Sequence, residues 1–174
     1  MREVASGSQD AFAALLRRHQ HALLNFFVRM GAYNEGEDLV QETFLRLFQY
    51  RKRYRPTARF KTFLYVLARH AWADRNRALM RRERLTSSLR TDAAIREEAP
   101  VENRPADAYD VRTALDRLSP KLKEVLVLSV YQGMRYQEIA DILGVPLGTV
   151  KSRVSLAVDA MRRLLDEPGS DNEP

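Results

Sequence analysis

Residues 135–165, RYQEIADILGVPLGTVKSRVSLAVDAMRRLL, decide how the second half of this chain folds. Ala140 is small where two helices must cross closely, and Gly144, four residues on, supplies the turn. Val150, six further, anchors a second helix, and Ile139, Leu143 and Val145 complete a small core. A helix, a short turn with glycine and a second helix is the form in which DNA readers offer one helix to the major groove. The second helix, expected over 146–165, buries Val150, Val154, Ala157, Met161 and Leu164. Its other face shows Thr149, Lys151, Ser152, Arg153 and Ser155, hydroxyl and cationic groups suited to phosphates and base edges. A plain helical hairpin with solvated polar residues is the bland alternative, and spacing this complete disfavours it. By itself the motif fits repressors, response-regulator output domains and transcription initiation factors equally well.

Upstream of it the apolar residues also recur near a 3.6-residue period. Helices are expected at 9–30 (Phe12, Leu15, Leu16, Leu23, Phe26, Phe27 inward; Asp10 as N-cap, Gly31 after the end) and at 34–49 (Leu39, Val40, Phe44, Leu47, Phe48 inward; Asn34 as cap). A basic loop at 51–58, broken at Pro56, leads to a long helix at 59–83 that buries Phe60, Phe63, Leu64, Leu67, Ala71 and Leu79. The polar, mildly acidic stretch 84–109 reads as a linker, too long for a loop inside one compact domain. Beyond it come helices at 108–117, 120–132 (Leu122, Val125, Leu126 and Val130 inward; Gly133 at the end) and 136–143. The acidic tail 166–174 is expected to be disordered. The expected fold is all-α, in two small helical domains, 9–83 and 110–165.

Composition narrows the chemistry. The 174 residues include no cysteine, which excludes disulfides and thiolate catalysis and fits a reducing cytoplasm. Three histidines, His19, His21 and His70, do not have metal-ligand spacing, and no window has the length and apolarity of a membrane span. The first residues, MREVASGSQD, lack the apolar run of a secretory signal. No paired carboxylates, Ser/His/Asp set or glycine-rich phosphate loop is present, so no catalytic residue, metal, cofactor or small-molecule substrate is expected.

The net charge of +6 is concentrated: residues 51–85 hold 12 Arg/Lys against Asp74 and Glu83, while the rest of the chain is net negative. Rings are threaded through that block, among them Tyr50, Tyr54, Phe60, Phe63, Tyr65 and Trp72. Cations neutralise phosphates, and exposed rings stack unpaired bases at roughly 1–3 kcal/mol per base. Duplex readers have little use for such platforms; a protein that holds separated strands does. The stripe Tyr65, Arg69, Trp72, Asn76 is therefore the candidate nucleic-acid face. Helix 34–49, with Glu37, Asp38, Gln41, Glu42 and Arg46 opposite its apolar side, is too acidic to lie on DNA; it is either a solvated face or a protein-docking surface.

Both halves resemble one family, the extracytoplasmic-function (ECF) sigma factors of bacterial RNA polymerase (group IV of the sigma-seventy family). The first half resembles their region 2 through Glu37-Asp38-Leu39-Val40-Gln41-Glu42-Thr43-Phe44-Leu45, Phe60-Lys61-Thr62-Phe63-Leu64-Tyr65, Ala68-Arg69 and Asp74. The second resembles region 4 through Leu118-Ser119-Pro120, Glu124-Val125, Glu138-Ile139-Ala140, Leu143-Gly144 and Gly148-Thr149-Val150-Lys151-Ser152-Arg153. The resemblance implies polymerase binding by Asp38, Gln41, Glu42 and Arg46. It implies capture of the melted −10 non-template strand by Tyr54, Arg55 and Lys61 and by Arg69, His70, Asp74 and Arg77, to which the stripe adds Tyr65, Trp72 and Asn76. It implies reading of −35 duplex by Thr149, Lys151, Ser152, Arg153 and Ser155. An anti-sigma partner, often membrane-bound, a cytoplasmic location and a non-enzymatic role are implied with it. Two positions depart from the common pattern: His70, where family members often carry Asn, and Leu156-Ala157, where a basic residue often precedes the alanine.

A self-sufficient DNA-binding regulator would explain the helix-turn-helix but not the aromatic-basic block. An enzyme acting on nucleic acid would need catalytic constellations that this sequence lacks.

Overall fold

The computed structural model describes residues 1–55, 59–87 and 106–166, and every regular element among them is helical. The elements are α1 (Arg2–Ala5), α2 (Gln9–Met30), α3 (Gly36–Tyr50), a 3-10 turn (Arg51–Arg53), α4 (Phe60–Ser87), α5 (Ala106–Arg117), α6 (Pro120–Leu126) continued by a π turn (Val127–Tyr131), α7 (Tyr136–Leu143) and α8 (Leu147–Asp166). Most of the expected linker, the break at Pro56 and the tail beyond Asp166 lie outside the described residues.

Two compact units contain these elements. One comprises Met1–Leu24 and Asn34–Pro100, the other Asn25–Tyr33 and Val101–Pro174, so α2 is shared between them. In the first, α3 packs on α4. Leu39, Phe44 and Leu47 of α3, Leu64, Tyr65, Ala68 and Ala71 of α4, and Leu23 of α2 are buried. Phe12 meets Phe44 edge-on at 6.1 Å and Phe48 at 5.3 Å. The buried Thr43 hydroxyl donates to the Leu39 carbonyl at 2.7 Å, which satisfies it inside its own helix.

In the second unit α8 is the central element, touched by α5, α6 and α7. Val125, Leu128, Ile139, Val150 and Ala157 are its closed core. Pro120 starts α6 at a position where a missing N–H costs nothing. The Arg135 amide donates to the Glu138 carboxylate at 2.9 Å at the start of α7. Gly144 closes α7 in the left-handed region at φ 66°, and the Gly144 and Val145 amides both donate to the Ala140 carbonyl, at 2.9 and 3.2 Å. Elsewhere in this unit Lys123, only 7% exposed, reaches Asp116 at 2.6 Å. Tyr33 donates to the same carboxylate, with the Arg112 guanidinium 3.8 Å above its ring. Burial, then the Asp116 contact, pushes the Tyr33 hydroxyl above the usual phenol range.

Several expectations are corrected. Asp10 does not cap α2: it lies in the first turn, and the Ser8 hydroxyl accepts from the Ala11 amide at 3.2 Å instead. Asn34 does not cap α3, which begins after Glu35, with no side-chain cap. Phe48 is 40% exposed rather than inward. Helix α4 runs on to Ser87, past the expected 83, and α5 starts at Ala106, ahead of the expected 108. Val130 is 62% exposed because the helix after α6 relaxes into a π turn, with the Gln132 amide donating five residues back to Val127. The extra residue in that turn rotates Val130 away from the α-helical stripe that carries Val125 and Leu126.

Candidate functional site

The acidic face of α3 follows from its register. Leu39, Val40, Thr43, Phe44 and Leu47 face inward, which leaves Glu37, Asp38 and Gln41 exposed on the opposite side. Glu42 and Arg46 sit half-buried at its margin, joined one turn apart by Nε to Oε1 at 2.7 Å. Arg46 also reaches α4, Nη1 to Asp74 Oδ2 at 2.8 Å. Asp74 in turn accepts from Arg77, and Arg75 donates to Glu35. An open depression between the two helices is walled by Glu35, Asp38, Glu42, Arg46, Asp74 and Arg75. Hydrogen bonds from Arg46, then Arg77, hold the Asp74 carboxyl below the usual carboxylate range.

The cation-and-ring block divides into packing and surface. Tyr54 lies against Phe63 at 5.0 Å and Phe60 at 6.4 Å, half-buried, beside exposed Arg55. Tyr65 is not a stacking platform: it is 1% exposed, and burial raises its hydroxyl far above the usual range. Leu64, Tyr65, Ala68 and Ala71 make one inward stripe of α4, so the core claims the ring that the sequence assigned to DNA. Arg69, Trp72 and Asn76 are half-buried, as is Lys61, whose Nζ stands 5.9 Å from the Tyr65 ring centre. His70 and Arg77, seven residues apart on one face, are both exposed. They make a more open row of α4 than the expected Tyr65–Asn76 stripe.

On α8, Val150, Val154 and Ala157 are buried, which leaves Lys151, Ser152 and Ser155 exposed and Thr149 and Arg153 half-buried. The Ser152 hydroxyl donates to the Thr149 carbonyl at 3.1 Å. The five residues named from sequence therefore lie in the first three turns of one helix. Leu156, 55% exposed in the same row, was not among them. Asp74 was assigned only to the −10 side, and its link to Arg46 could not be read from positions 28 apart in sequence.

Residues 15–82 match the family description "Sigma-70 region 2", and residues 109–161 match "Sigma-70, region 4". The chain is 33% identical over 170 residues to the RNA polymerase sigma factor CarQ of Myxococcus xanthus, covering 96% of each. It is 34% identical to the ECF RNA polymerase sigma factor SigL of Mycobacterium tuberculosis, covering 94% of this chain and 96% of the relative.

The chain belongs to the ECF RNA polymerase sigma factors.

Solved structures place the sigma factor in the same fold. It matches the sigma factor RpoE of Bartonella quintana, solved with the anti-sigma factor NepR, with a TM-score of 0.76 at 25% identity, covering 91% of this chain and 99% of that one. It matches CnrH, solved with the cytosolic domain of CnrY, with a TM-score of 0.73 at 25% identity, covering 96% and 95%. The two stretches of the sigma factor that match family regions are those that carry the acidic α3 face with the cationic α4 row, and the α7–Gly144–α8 motif. No helix among the described residues is long and apolar enough to cross a membrane.

Proposed function

We propose how this sigma factor divides its labour. Helix α3 docks on core RNA polymerase through Asp38, Gln41, Glu42 and Arg46. The loop and helix after it hold the −10 non-template strand through Tyr54, Arg55, Lys61, Arg69, His70, Trp72, Asn76 and Arg77. Helix α8 reads −35 duplex through Thr149, Lys151, Ser152, Arg153 and Ser155. The first domain is 9–83 and the second 110–165, with the intervening chain as tether. One observation carries this reading: a surface too acidic for DNA and a row of cations suited to it occupy neighbouring helices, joined through Arg46, Asp74 and Arg77.

The work is binding, not bond-making. Bases already out of the stack bind the −10 surface, which draws the opening equilibrium toward melted DNA. Engagement of the −35 duplex raises the effective concentration of the −10 surface at its strand. The chain acts in the cytoplasm, where its polymerase is. RpoE is solved with an anti-sigma factor and CnrH with a cytosolic partner domain; by likeness an anti-sigma protein, which a membrane anchor could carry, restrains this chain.

Run-off transcription with purified core polymerase tests the assignment. The native chain gives polymerase-dependent starts on its promoters. Asp38→Arg with Glu42→Arg abolishes polymerase association while leaving the fold intact, since like charges across an interface cost several kcal/mol. Association that survives this double reversal refutes the docking assignment.

A further inference from the structure

The core of the helix-turn-helix is complete without Leu156. Val150, Val154 and Ala157 form the buried face of α8, yet Leu156 is 55% exposed. A lone surface leucine is ordinary on a solvated helix. This one stands in a row with Thr149 and Ser152 (i, +3, +7), flanked by exposed Lys151 and Ser155. With α8 as the −35 helix, that row lies in the major groove. In that groove the base edges present donors, acceptors and one hydrocarbon group, the C5-methyl of thymine.

Resting on the assignment of α8 to the −35 duplex, we infer that Leu156 reads a thymine methyl group of that element: an exposed leucine sits in the hydroxyl-and-cation row of α8, one turn beyond Ser152. The surface ends just past it. Asp159, the next residue of the row, puts a carboxylate where the phosphates would be and lies 3.8 Å from Arg162 of its own helix. Leu156 is therefore the last base-reading position, and its contact fixes a thymine at one edge of the element.

The test uses reconstituted holoenzyme with the full chain and the −35 duplex that it enriches from random DNA. Each thymine of the element is replaced in turn by deoxyuridine, which removes only the methyl group, and binding is measured by competition. With the native chain one replacement weakens binding about fourfold, the value of one buried methyl-sized group. Leu156→Ala loses that response, and Leu156→Met, which keeps hydrocarbon at the site, retains it. The inference is overturned if the enriched element contains no thymine, if no replacement is felt, or if Leu156→Ala responds like the native chain. Failure of the parent reading looks different: no −35 motif is enriched at all, and Lys151→Ala with Arg153→Ala changes nothing.

Discussion

Arg46 of α3 holds two carboxylates at once, Glu42 one turn back at 2.7 Å and Asp74 of α4 at 2.8 Å. Because Asp74 also accepts from Arg77, one carboxylate joins a residue assigned to polymerase with one assigned to the −10 strand. Asp74→Asn weakens both links. Arg77 is then less neutralised, so binding of a −10 single strand by the holoenzyme gains salt dependence, its log–log slope steepening by up to about 0.7. Polymerase affinity falls, as Arg46 loses its orientation. Side chains this exposed add little to stability, so the thermal midpoint stays close to native. Salt titration of strand binding checks the first effect; an unchanged slope refutes it.

Tyr65 belongs to the core of the first unit. Tyr65→Ala costs about 3–5 kcal/mol in unfolding, the range for emptying an aromatic site. Urea denaturation measures this. Promoter opening should fall only as far as the folded fraction does. A stable Tyr65→Ala protein with a specific melting defect would restore the ring to the DNA surface.

His19 contacts the Phe60 ring at 5.3 Å, and burial, then the charges of Arg18 and Lys61, lower its pKa below 6.5. The unfolded chain therefore takes up a proton at a higher pH than the folded one. Stability from this group is level above about pH 6.5 and declines as pH falls below it, because there the unfolded state binds more protons. Thermal midpoints between pH 5 and pH 8 show the slope, and His19→Gln flattens it. An equal slope in that variant rules His19 out as its source.

Gly144 has open space around the position a Cβ would take, so the obstacle to replacing it is its backbone, at φ +66°. Gly144→Ala destabilises the second unit by roughly 1–2 kcal/mol, and Gly144→Asn by less, since Asn tolerates the left-handed region. Denaturation midpoints order the three proteins Gly, Asn, Ala. Any other order refutes a backbone origin.

The order and most boundaries of the longer helices were legible in the sequence, while α1 and the 3-10 turn were not expected. Expected 9–30 and 136–143 became Gln9–Met30 and Tyr136–Leu143, and the glycine turn at 144 took the left-handed conformation its position called for. These features are local: a helical period needs only the spacing of apolar residues, and a turn needs only a residue that accepts positive φ. The charged faces of α3 and α8 were legible for the same reason, as the far sides of those stripes.

Tertiary structure alone decided which rings are core and which charges meet. Tyr65 lies between the expected inward line of α4, which carries Leu64 and Ala71, and the stripe it shares with Trp72, and periodicity does not say how far round the helix the buried face extends; packing on α3 took in Tyr65 and left Trp72 half-buried. Val130 left its stripe because a π turn adds a residue that no α-helical period anticipates. Lys123 is buried because Asp116 waits for it, and Arg46 meets Asp74 because two helices far apart in sequence lie side by side. Spacing along a chain determines the faces of a helix. Only the neighbour packed against it determines what each face is for.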